Sequence, residues 1–114
     1  MKNIDKYRGC LVGGASGDAL GYAVEFYQED FIFKKYGITE YDLINGIAHI
    51  SDDTQMTLFT ANGLLLGTTR GMTRGIMQAY PSYIASCYKD WLKTQLELKE
   101  HLSYSWLVNV PELF

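Results

Sequence analysis

Apolar positions repeat at helical intervals along most of this chain, and nowhere do they alternate for long enough to make a strand. Ile4, Tyr7, Leu11 and Ala15 form one stripe, which predicts a helix over residues 4 to 20. Beside it runs a second row, Gly9, Gly13, Gly17 and Gly21, each four residues from the next. Glycine costs a helix interior about 1 kcal/mol relative to alanine, so such a row needs an offsetting gain. Two sources remain open: another backbone packed tightly on the bare face, or a ligand brought close to it.

Residues 22 to 50 read as a loop holding one short helix, Glu29 to Tyr36, closed by Gly37 as an αL cap. Tyr22, Phe26, Tyr27, Phe31, Phe33 and Tyr36 crowd this stretch, which predicts that it packs down rather than standing in solvent. Ser51-Asp52-Asp53-Thr54 then opens a segment, Met56 to Leu66, that is apolar around most of its circumference. Such a helix is expected to be central and buried, and to stop near Gly67 and the Thr68 to Gly71 turn. Ile76, Tyr80, Ile84, Cys87 (or Tyr88) and Trp91 mark the next helix, with Met77, Tyr83 and Leu92 on the same face. Pro81 inside that pattern implies either a kink or a helix restarting with proline at its first position. Val108 to Val110 is too short to count as a strand, so the expected fold class is all-α. The ending Asn109-Val110-Pro111-Glu112-Leu113 has the capping residue, early proline and early acid of a helix start. The expectation is a protein that continues past Phe114, with residues 1–114 as the N-terminal part of one domain.

Composition narrows the class. A chain of 114 residues with 47% apolar and 20% charged content suits one globular domain rather than a disordered tail. Acidic residues outnumber basic ones by 13 to 10, giving a net charge of −3, and Lys and Arg do not cluster. Neither a nucleic-acid partner nor an anionic membrane surface is therefore expected. No apolar run approaches the roughly 18 residues of a membrane span, and Met1 to Lys6 is too polar to lead a secretory segment. Cys10 and Cys87 stand 77 positions apart in no shared motif, which points to neither a disulfide framework nor a zinc site. A cytoplasmic location is the expectation.

Carboxylates beside small residues occur in three places. Asp18, in Gly17-Asp18-Ala19-Leu20-Gly21, falls near the C-terminal end of the first predicted helix, where the macrodipole disfavours an anion. It needs a cation, a hydrogen-bond donor or water to compensate, and an ordinary solvated or turn-forming aspartate would also satisfy the pattern. Glu25 follows seven residues later among Ala23, Val24, Phe26 and Tyr27. Ser51-Asp52-Asp53 places three hard-oxygen side chains at a helix entrance, a donor set that suits Mg²⁺, Mn²⁺ or Ca²⁺. Helix capping explains the same residues, since Asp52 with Gln55 resembles a capping box and acids favour a first turn. His49 has no second histidine nearby (His101 is 52 residues on) and reads as a structural or surface residue. Nine tyrosines are present, and rings at helical spacing are more often core than base-stacking platforms.

The order and spacing of these signals resemble a known family. The run Gly9-Cys10-Leu11-Val12-Gly13-Gly14-Ala15-Ser16-Gly17-Asp18-Ala19-Leu20-Gly21, then Glu25-Phe26, then Ser51-Asp52-Asp53-Thr54-Gln55-Met56, is similar to the ADP-ribosylglycohydrolase family, which includes dinitrogenase reductase-activating glycohydrolases. Tyr88-Lys89-Asp90-Trp91-Leu92 also looks like a later helix of that family. The resemblance implies an all-α fold with a binuclear Mg²⁺ or Mn²⁺ centre. It also implies hydrolysis of the glycosidic bond that joins ADP-ribose to a protein side chain or to a related small molecule. Carried over by position, Ser51, Asp52, Asp53 and Glu25 match metal ligands, with Glu25 and Asp52 as the carboxylates taking part in hydrolysis. Gly17, Asp18 and Gly21 match the strip that borders the substrate pocket.

One departure stands out. Family members are longer and draw further metal ligands from an Asp-x-Asp-Ser/Thr segment near their C-terminus, whereas the acids after Trp91 are Glu97, Glu100 and Glu112, in no such arrangement. The expectation is a chain carrying about half of a metal shell, which binds Mg²⁺ weakly because that ion gives up water reluctantly. Apolar helix faces left uncovered would favour association with a second copy or with a complementing C-terminal chain. The rival reading is a non-catalytic helical module, or a remnant, that binds a partner chain through that face.

Overall fold

The computed structural model describes residues 3–37, 43–75, 79–96, 106–110 and 113–114. They form α1 (Ile4–Tyr22), α2 (Glu29–Tyr36), α3 (Asp52–Arg74), α4 (Tyr80–Gln95) and a short 3-10 helix, Trp106–Asn109. Among the described residues the only extended pairing is one antiparallel bridge, Ile44 to Ile47. The fold is all-α, as the periodicity predicts. The chain divides into two compact units, Met1–Thr54 and Gln55–Phe114.

In the first unit, α1 starts where the sequence places it. Asn3 caps the helix, its side-chain oxygen accepting a hydrogen bond from the Asp5 N–H at 3.1 Å. The predicted stripe is only partly covered: Ile4 and Tyr7 are exposed and Leu11 and Ala15 half-buried, while Ala19, one turn beyond it, is buried. Helix α2 has Glu29 and Asp30 in its first turn and Lys34 and Lys35 in its last, so both ends complement the helix dipole. It ends at Gly37 as expected, but with φ 75° and ψ −159° the residue lies outside the αL basin, in a region open essentially to glycine alone. The expectation that the aromatic loop packs down is not met. Phe26 is 85% exposed, and Tyr22, Tyr27, Phe31 and Phe33 are all exposed. Tyr27 and Phe31 instead meet each other with ring centroids 4.9 Å apart, and the Lys35 ammonium sits over the Tyr27 and Tyr36 rings. A tight turn that the sequence reading passed over joins Ile44 to Ile47. Asn45 and Gly46 both take positive φ there, as a type I′ turn requires and an Asn-Gly pair favours.

The second unit is a helix pair closed by the 3-10 segment. Its core gathers Phe59, Cys87 and Leu107, with Leu58, Leu66, Tyr88, Trp91, Val108 and Leu113 packed around them. Helix α3 does not stop near Gly67; it continues to Arg74, and Gly75 at φ 65° ends it. Packing overrides the local stop signal here. A Cβ on Gly63 would lie 2.7 Å from the Ile84 Cα, and one on Gly67 would lie 2.8 Å from the Tyr83 ring. These glycines therefore let α4 approach closely, and they are contact points rather than breaks. Nor is α3 buried all round: Phe59 is fully enclosed, while Leu64 and Leu65 stand exposed.

Helix α4 restarts with proline in its first turn, the second of the two alternatives for Pro81. Tyr83 and Cys87 are buried on the predicted face, whereas Tyr80 and Leu92 are exposed. Ile76 and Met77, offered as the start of this pattern, lie outside the described residues, as do His101, Glu97 and Glu100. Asn109 ends the 3-10 helix rather than visibly opening a new one, and Pro111 and Glu112 lie outside the described residues.

Candidate functional site

The C-terminal half of α1, the segment just after it and the entrance to α3 supply the candidate site. A pocket of about 460 Å³ is lined by Gly14, Gly17, Asp18, Gly21, Tyr22, Glu25 and Asp53. Helix α1 provides one wall. Along it no described residue comes within 4 Å of where a Cβ would stand on Gly9, Gly13, Gly14, Gly17 or Gly21. The tight-packing explanation of the glycine row is therefore not realised among the described residues, and the C-terminal part of the row borders the pocket instead.

Asp18 forms the densest polar cluster of the unit. Its Oδ2 accepts the Ser51 N–H at 2.8 Å and the Thr54 N–H at 3.3 Å, together with the Thr54 hydroxyl. Its Oδ1 accepts the Ser51 hydroxyl at 2.6 Å. The compensation that an acid near the end of α1 requires thus comes from hydrogen-bond donors at the entrance to α3, where the dipole favours an anion. Burial pushes the Asp18 carboxyl up, but the hydrogen bonds from Ser51 and Thr54 outweigh it and hold the group below its ordinary value.

Ser51 also accepts the Asp53 N–H at 3.2 Å, which makes it the capping residue of α3. Capping by an Asp52–Gln55 box is thus replaced. Gln55 turns its side chain to the second unit's interior, where its Oε1 accepts the Trp91 indole N–H at 2.9 Å and its Nε2 donates to the Leu113 carbonyl at 2.5 Å.

The remaining predicted residues separate. Glu25 and Asp53 are exposed and border the same pocket, together with Gly17, Asp18 and Gly21. Asp52 is exposed and is not among the lining residues, and Ser51 is half-buried against Asp18. His49 is an exposed residue whose ring lies 6.2 Å from that of Tyr22. Sequence reasoning missed Thr54 and Tyr22. Thr54 had a signal: Ser51 and Thr54 bracket the aspartate pair with hydroxyls one helical turn apart. Tyr22 had none, being one ring among nine tyrosines.

Glu25 and Asp53 are the hard-oxygen donors that Mg²⁺ or Mn²⁺ accepts, so the pocket fits such an ion in kind. It falls short in number. Among the described residues no group of three or more His, Cys, Asp or Glu side chains converges as a metal cluster, and Asp18 is already engaged by Ser51 and Thr54.

No described helix is long and apolar enough to cross a membrane. No curated protein and no solved structure matches the chain. The family model for ADP-ribosylglycohydrolase matches residues 1–109 of the 114, a span that contains the glycine row, Glu25 and the Ser51–Thr54 turn. By that match, the chain belongs to the ADP-ribosylglycohydrolase family.

Proposed function

We propose that the chain contributes the glycine-walled side and part of the metal shell of a site that hydrolyses the glycosidic bond of ADP-ribosylated proteins or related ADP-ribosyl compounds. The observation that supports this reading is the placement of Glu25 and Asp53 on one pocket bordered by Gly14, Gly17 and Gly21. A wall without side chains admits a bulky phosphorylated ligand close to the helix, and two carboxylates at its rim attract a divalent cation. Glu25 and Asp53 would hold a Mg²⁺ or Mn²⁺ ion, with Asp52 and Ser51 adjoining in sequence; the complete family site takes two ions. Bound there, the metal supplies orientation of ribose hydroxyls and stabilisation of developing charge. Glu25, exposed at the pocket, accepts the proton of the attacking water. Asp52 adds negative potential at the same helix entrance.

The test is release of ADP-ribose from an ADP-ribosylated protein by the purified chain, with Mg²⁺ or Mn²⁺ and with EDTA. Metal-dependent release that Glu25→Gln abolishes supports the reading. No release with either metal, alone or with a complementing C-terminal chain, sinks it.

A second reading has an observation of its own. Within the first unit Val12 and Phe26 are 65% and 85% exposed, beside exposed Leu20, Phe31 and Phe33. Exposed apolar side chains of this kind offer a surface to a partner. A non-catalytic module would bind a partner chain through it, and sedimentation across a concentration series distinguishes the two. A stable monomer at every concentration removes self-association from the account.

A further inference from the structure

Among the described residues, the carboxylate with the most hydrogen-bond donors at the pocket is neither Glu25 nor Asp53 but Asp18. Asp18 takes donors from both ends of a four-residue turn, the N–H and hydroxyl of Ser51 and the N–H and hydroxyl of Thr54. Asp52 and Asp53 lie between those anchors, and Ser51 in turn holds the Asp53 N–H. Asp53 and Asp18 border the same pocket as Glu25, which lies on the segment that follows α1.

We propose that Asp18 is a positioning residue, whose carboxylate clamps the Ser51–Thr54 turn so that Asp53 is held at the pocket that Glu25 also lines. The proposal deepens the metal-site reading above and rests on it. The physical reason is the donor count. A carboxylate offers two oxygens and several lone pairs, enough for every donor of the turn, and each bond removes freedom from the backbone that carries Asp52 and Asp53. An asparagine keeps the shape but loses the charge that strengthens every one of these bonds, and with its one acceptor oxygen on the Oδ2 side it sets an NH₂ group, in place of a charged acceptor, against the Ser51 hydroxyl. Groups that orient a metal ligand from behind typically govern affinity by about 10- to 100-fold, which sets the effect to expect.

The test compares the wild-type chain with Asp18→Asn and Asp18→Glu by NMR, reading amide exchange at Ser51 and Thr54 and titrating with Mn²⁺ alone. For Asp18→Asn the clamp requires faster exchange at both amides and a Mn²⁺ affinity, read from broadening of Glu25 and Asp53 signals, lower by about 10-fold or more. Asp18→Glu, which keeps the carboxylate, should recover part of both. Phe59→Leu, a core change in the second unit, controls for general loss of stability and should leave Mn²⁺ broadening unchanged. Wild-type Mn²⁺ affinity in Asp18→Asn overturns the positioning role and leaves the metal reading intact. No Mn²⁺ binding by the wild type overturns the metal reading. The clamp is then decided by exchange alone, and unaltered protection at Ser51 and Thr54 in Asp18→Asn refutes it.

Discussion

Asp18 and Ser51, separated by 33 positions in sequence, are joined by two hydrogen bonds, one from the Ser51 N–H at 2.8 Å and one from its hydroxyl at 2.6 Å. The pair ties the end of α1 to the start of α3, so the glycine row and the aspartate pair are organised by one carboxylate.

Because the Asp18 carboxyl sits below its ordinary value in the folded chain, its contribution to stability has a fixed sign with pH. The stabilisation is present above the unfolded carboxylate value and is lost as pH falls through the lower folded value. Thermal unfolding of the wild type and Asp18→Asn should differ near neutral pH, and the gap should shrink on acidification. A gap that widens toward acid would contradict the hydrogen-bonded carboxylate.

Ser51 both caps α3 and donates to Asp18, so Ser51→Ala removes an accepting and a donating role together. A loss of about 0.5–2 kcal/mol in denaturant unfolding is expected, the range for removing a capping hydroxyl. Asp52→Ala leaves the cap intact and should cost less.

The two aspartates should also separate in metal titrations. Asp53 borders the pocket and Asp52 does not, so Asp53→Ala should weaken Mn²⁺ binding more than Asp52→Ala. The reverse order, read by calorimetry or Mn²⁺ relaxation, would place the ion away from this pocket.

Glycines of α1 and α3 should respond in opposite directions to alanine. Gly13→Ala meets open space and should stabilise the chain by up to about 1 kcal/mol, the helix-propensity difference. Gly63→Ala drives a methyl to within 2.7 Å of the Ile84 backbone and should destabilise by about 1–3 kcal/mol as α4 is pushed away. Urea unfolding of both variants checks the contrast.

Gln55 offers a further check in the second unit. Its Oε1 accepts the Trp91 indole N–H and its Nε2 reaches the Leu113 carbonyl, so Gln55→Leu strips both half-buried groups of that partner. A cost of about 1–3 kcal/mol is expected, with a shift in indole fluorescence. Unchanged emission would mean that Trp91 is held by packing alone.

Periodicity and end signals by themselves determined the helical class, the first turn of α1 and the extent of α2, because spacing and caps act over one or two turns, whereas Pro81 left a kink and a restart both open. The motif residues also determined the family and drew attention to Glu25, Asp18 and Ser51 to Asp53. Tertiary structure decided what those residues do. Gly67 reads as a helix stop from the chain alone, and only the Tyr83 ring against it, with Ile84 against Gly63, turns it into a contact on a helix that runs on to Arg74. Likewise Asp18 is an acid at an unfavourable helix end until Ser51 and Thr54 arrive from more than thirty residues away with their donors. Asp52 and Asp53 are indistinguishable by composition, and one backbone turn places only the second on the pocket. The local code carries element type because its energies are local; assignment of partners needed the fold, because a hydrogen bond or a close approach depends on atoms that sequence distance does not bring together.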